Sequence, residues 1–90
     1  MESFKEAVDK AIKTYNKYRS PEATAKLVEM KDGELIIDFE GSFCRTCGVS
    51  EYFEDFIYEL KGLVDVRMEI LNFEYQGYEK FRVRYAVKDT

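Results

Sequence analysis

Ninety residues, 46% of them hydrophobic and including seven Tyr and seven Phe, make a single packed domain over residues 1–90 and exclude a disordered or multidomain chain. Fourteen Lys and Arg stand against eighteen Asp and Glu, a formal net charge of -4 with no basic tract, so nucleic acid is not an expected partner. No apolar run is long enough to cross a bilayer, and the opening Met1-Glu2-Ser3-Phe4-Lys5-Glu6 lacks the layout of a signal peptide; a cytoplasmic protein with no membrane partner is the expectation.

Phe4, Val8, Ile12 and Tyr15 recur at helical spacing with Ala11 and Tyr18 on the same side, which predicts a helix over about residues 4–18. Ser3 and Glu6 read as its capping box. Arg19-Ser20-Pro21 ends it, because proline pushes the residue before it out of helical geometry. Two extended runs follow, over about residues 23–31 and 34–40, joined by Asp32-Gly33, a dipeptide suited to a two-residue type I′ turn. Counted from that turn, Met30 faces Leu35 and Val28 faces Ile37 on an apolar face, with Glu29, Asp38 and Glu40 on the other.

After a loop, Val49, Phe53, Phe56, Ile57 and Leu60 mark a second helix over about residues 50–61, with Glu51, Glu54, Asp55 and Glu59 on its wet side. Ser50 or Gly48 can cap its start. Gly62 is placed to end it in a left-handed conformation, and Lys61 sits favourably at the negative end of the helix dipole. Val64, Val66, Met68 and Ile70 then alternate with Asp65, Arg67 and Glu69, and a last strand over about residues 78–88 alternates Phe81, Val83, Tyr85 and Val87. A two-residue turn at Gln76-Gly77 would set Ile70 opposite Val83, Met68 opposite Tyr85, Val66 opposite Val87 and Glu69 opposite Arg84. Leu71 and Phe73 would then lie on the face away from Ile70. The order α-β-β-α-β-β implies an α+β fold, a four-stranded mainly antiparallel sheet with two helices packed on one face. The remaining tyrosines read as amphipathic rings at the edge of a small core.

Chemistry concentrates in one place. Phe43-Cys44-Arg45-Thr46-Cys47-Gly48 holds the only two cysteines of the chain, in CxxC spacing, between a strand and a helix. Helix N-terminal N–H groups and the guanidinium of Arg45 both favour the thiolate, the form that binds soft metals or attacks disulfides; Glu51 and Glu54 partly offset that field. Three readings follow: a metal or iron-sulfur site, a dithiol redox pair in which one thiol attacks and the other resolves, or structural cysteines in a non-catalytic interaction module. Zinc or a cluster wants four ligands, and a chain with two thiols and no histidine could reach four thiolates by pairing with a second copy, so a metal site here would imply a homodimer or a cluster handed between proteins. No Ser/His/Asp set or Cys/His pair is present, so hydrolytic catalysis has no machinery and an enzyme is the less expected class. A KH-like reading fails for want of a GxxG loop. Abundant charge with three Asn and Gln in total resembles thermophile usage, a setting in which cytosolic disulfides also occur.

The stretch from Glu22 through the Asp32-Gly33 turn to Gly41, the Cys44-Arg45-Thr46-Cys47 motif, the helix to Lys61 and the strand from Val64 resembles the C-terminal domain of NifU and the wider iron-sulfur cluster assembly group, PaaD-like proteins included. The resemblance covers roughly residues 4–70. It implies that Cys44 and Cys47 bind an iron-sulfur cluster or zinc transiently, within a homodimer, and pass a cluster to an apoprotein client. The chain departs from the family pattern at Ser42-Phe43, where one small residue is usual, at Gly48, where proline is usual, and in its fourth strand.

Overall fold

A helical repeat of apolar residues and a two-residue alternation coexist in this chain, and the fold stacks one on the other. The computed structural model describes residues 4–20, 22–31, 33–42 and 49–89. Among them the order is α1 (Phe4–Arg19), β1 (Thr24–Lys31), β2 (Glu34–Glu40), α2 (Val49–Lys61), β3 (Val66–Gly77) and β4 (Lys80–Asp89). The strands form a sheet in the order β1-β2-β4-β3 with every neighbouring pair antiparallel. The second hairpin therefore docks on the first through β4, and β1 and β3 are the edges. The α+β class and element order expected from the sequence are those of the structure.

Ala7, Val8, Ala11 and Tyr15 of α1 and Phe53, Phe56 and Leu60 of α2 bury against Ala25, Leu35, Ile37, Phe39, Met68, Val83 and Tyr85 of the sheet, so both helices cover one face. Aromatic rings fill its centre edge to face, with Tyr15 and Phe39 at 5.5 Å and Phe39 and Phe56 at 6.1 Å between centroids, the arrangement that ring quadrupoles favour. Asn16 ties α1 to the edge of β1: its Oδ1 accepts from the Ala25 N–H at 2.7 Å and its Nδ2 donates to the Ala25 carbonyl at 3.1 Å.

The open face carries charge in cross-strand rows. Lys26, Asp38, Arg82 and Glu74 lie side by side on the four strands, alternating in sign. Asp38, on the face expected to be wet, is only 6% exposed, because Arg82 lies over it and donates from Nε at 2.8 Å and from Nη2 at 3.1 Å.

Three expectations are corrected. In the first hairpin Met30 faces Leu35, but a bulge at Val28 sets Leu27 opposite Ile37 and leaves Val28 exposed; Asp32 and Pro21 lie outside the described residues, as does Ser3 of the expected capping box. In the second hairpin the turn is Tyr78-Glu79, at φ 55° and 57°, with Gly77 opposite Lys80. Ile70 thus meets Tyr85, Met68 meets Val87, Val66 meets Asp89 and Glu69 meets Ala86. A bulge at Leu71 then switches the parity of β3, so Phe73 pairs with Val83 on the helix side, not on the side of Glu69. The gain that selects this register is aromatic: Phe73 reaches Phe53 at 5.0 Å and Phe81 at 5.9 Å. Gly62 is not left-handed; α2 closes instead with N–H bonds from Gly62 to Tyr58 and from Leu63 and Val64 to the Leu60 carbonyl.

Candidate functional site

Cys44 and Cys47 belong to residues 43–48, which lie outside the described residues; the elements on either side can be built upward. β2, an inner strand, ends at Glu40, and α2 starts at Val49, so the CxxC segment spans from the end of a central strand to the N-terminus of a helix, as the sequence implies. Gly41 leaves β2 at φ 142°, a backbone conformation that glycine supplies without strain. Its N–H donates to the Glu79 carbonyl at 2.9 Å, which joins the start of the loop to the tip of the β3–β4 hairpin.

The other bank is the first half of α2, held from below by two buried tyrosines. The Tyr15 hydroxyl donates to the Tyr52 carbonyl and the Tyr85 hydroxyl to the Phe53 carbonyl, each at 2.9 Å. Burial pushes both phenols well above their ordinary ionisation range, so both remain donors across the physiological range. Tyr52 donates in turn to Glu22; that hydrogen bond also raises its phenol. Arg19 lies over the Tyr15 ring, 4.6 Å from its centroid, and pairs with Asp55 at 3.5 Å and Glu59 at 3.8 Å. The helix end that faces the CxxC segment is thus braced from α1 and β4. Sequence reasoning placed Tyr85 in the core without its partner; the signal available was that a buried tyrosine needs an acceptor.

Donor chemistry decides what such a segment can hold. No group of three or more Cys, His, Asp or Glu converges among the described residues, and the whole chain has no histidine and two cysteines. A site of four thiolates would therefore need a thiol pair from each of two chains. Two grooves, of about 270 Å³ beside Arg67, Met68 and Lys88 and about 590 Å³ between Phe4, Met30, Val64 and Val87, lie toward the end of the sheet away from Gly41 and the start of α2. No described helix is long and apolar enough to cross a membrane.

No protein-family model matches the chain, and no match was found among curated proteins or solved structures.

Proposed function

We propose that this protein is a small metal- or iron-sulfur-cluster-binding scaffold or carrier of the cluster-assembly type, in which Cys44 and Cys47 of each of two chains supply the thiolates. The observation that carries the reading is the pair of elements flanking the CxxC segment, an inner strand that ends at Glu40 and a braced helix that starts at Val49; a thiol next to a helix N-terminus is favoured as thiolate. The resemblance to NifU-like domains points the same way. A cluster held by a homodimer is cargo, to be passed to an apoprotein whose own ligands displace the carrier's, and a reducing compartment keeps the thiols available.

Anaerobic purification followed by an absorption spectrum and a metal assay tests the reading. The expected result is zinc or a cluster at one site per two chains, with metal loading and dimer formation rising together. Cys44→Ser should lose the metal while retaining the fold. Reconstituted protein that holds no metal, and whose association is unchanged by Cys44→Ser, would sink the proposal. The dithiol redox alternative is separated by alkylation of reduced, metal-free protein: metal that suppresses fast alkylation favours the carrier, whereas turnover of a disulfide substrate favours the oxidoreductase.

A further inference from the structure

Cross-strand partners on the open face match opposite charges, with one exception. Lys26 stands opposite Asp38, Asp38 opposite Arg82, Arg82 opposite Glu74 and Lys31 opposite Glu34, whereas Arg67 of β3 stands opposite Lys88 of β4. Among the described strand partners no other pair sets like charges face to face, and such a pair opposes folding unless a counter-charge lies between the two. The chain supplies little of one. Glu69, two residues along β3, reaches Lys88 at 3.6 Å with the two side chains 64% and 67% exposed, a contact that water screens. Among the described residues Arg67 has no carboxylate partner.

A third cation joins them. Lys61, the last residue of α2, lines the same groove of about 270 Å³ as Arg67, Lys88 and Glu69, over a Met68 that is 9% exposed. A lysine at a helix C-terminus commonly covers the last carbonyls, but here Gly62 already donates to the Tyr58 carbonyl, and Leu63 and Val64 to that of Leu60. Lys61 has no ion pair among the described residues. In a protein of net charge -4, the groove is a local reversal of sign. We propose that it binds a small ligand bearing a dianionic phosphate group, as the free ion or as a monoester. The guanidinium fork of Arg67 matches two oxygens of a tetrahedral oxyanion, and the two ammonium groups act as point charges on the others. Three cations less one carboxylate leave two positive charges, which a phosphate dianion neutralises and a lone carboxylate does not. A nucleic-acid backbone would need a longer tract of cations than one groove offers. The groove lies at the end of the sheet away from Gly41, so binding there stands or falls apart from the carrier reading.

Amide NMR titration of the full, metal-free chain with sodium phosphate, and separately with phenyl phosphate, tests the site at ionic strength held constant with sodium chloride. The amides of Lys61, Arg67, Met68 and Lys88 should shift saturably; tighter binding of inorganic phosphate marks the free ion as the ligand, and tighter binding of phenyl phosphate marks the ester. Arg67→Gln should weaken binding about tenfold or more, and Glu69→Gln should tighten it severalfold. Lys13→Gln, the same change of charge at an exposed position of α1, should leave it unchanged. Without phosphate, Arg67→Gln should melt no lower than wild type, because it removes a like-charge contact; saturating phosphate should raise the wild-type midpoint and leave that of the variant in place. Shifts that grow without saturating or spread evenly over the surface overturn the proposal, as does an Arg67→Gln that binds as tightly as wild type. An anion-free Arg67→Gln clearly less stable than wild type also overturns it, by showing the guanidinium already partnered within the chain.

Discussion

At Tyr78 the chain accepts a backbone cost for a side chain that touches water on nearly every side. Replacing it with glycine relieves a left-handed L residue and deletes a ring with no place in the core, so Tyr78→Gly should raise stability by about 1 kcal/mol, measured as a higher denaturation midpoint at unchanged m. A loss of stability would show that the ring is used within the monomer. Tyr85 is the opposite case. Its hydroxyl is buried on the Phe53 carbonyl, and Tyr85→Phe should cost about 1 kcal/mol through the lost bond and the acceptor left behind. Because burial raises its phenol, and that of Tyr15, above the unfolded value, the stability these groups contribute is fully present below about pH 10 and is lost as the pH rises beyond it. Phenolate absorbance from these two rings should therefore appear only together with the loss of far-ultraviolet circular dichroism. Absorbance that titrates in full before any unfolding would contradict the buried assignment.

The elements differ in how openly the sequence declares them. Both helices and all four strands are legible because some stretch of each holds one period long enough to show its buried face. The first hairpin is nearly legible, since the Asp32-Gly33 spacing sets Met30 against Leu35, but the bulge at Val28 leaves no signature in the alternation. The second hairpin misleads. Gln76-Gly77 is the better turn dipeptide, and the chain turns two residues later on Tyr78-Glu79 because the slipped register brings Phe73 against Phe53; a tertiary gain overrides the local preference. The CxxC motif is legible as chemistry, but the parity switch at Leu71 that turns Phe73 onto Phe53 is invisible to a count of twos. On the open face the cross-strand pairs also differ in depth. Arg82 covers a nearly buried Asp38, whereas Lys88 pairs at 3.6 Å with a Glu69 that is 64% exposed. Arg82→Ala should lower the thermal midpoint clearly more than Lys88→Ala, since only the former leaves a buried carboxylate uncompensated. Hydrogen bonds from Arg84 hold the Glu34 carboxyl below its ordinary range, so that pair's contribution is intact at neutral pH and fades as the pH falls through the lowered value.

For the whole molecule, the strand order β1-β2-β4-β3 separates contacts by distance along the chain. Each hairpin is local, and so is each helix. The seam between β2 and β4, with Ile37 opposite Val83, joins residues from either side of the cysteine segment, α2 and β3. Closing it orders a long stretch of chain before any contact rewards the closure, which makes it the expected rate-limiting step of folding. Ile37 is fully buried, and Ile37→Ala should cost about 2 to 5 kcal/mol in stability; stopped-flow kinetics should place much of that loss in a slower refolding arm, and an effect confined to unfolding would put the seam after the rate-limiting step. Tyr78→Gly, acting at a local turn, should leave that arm nearly unchanged. Since the connection across the seam also carries the segment between Gly41 and Val49, a newly made chain can assemble its two hairpins while those anchor points are still apart, and the ends of that segment reach their native spacing only when β2 and β4 meet.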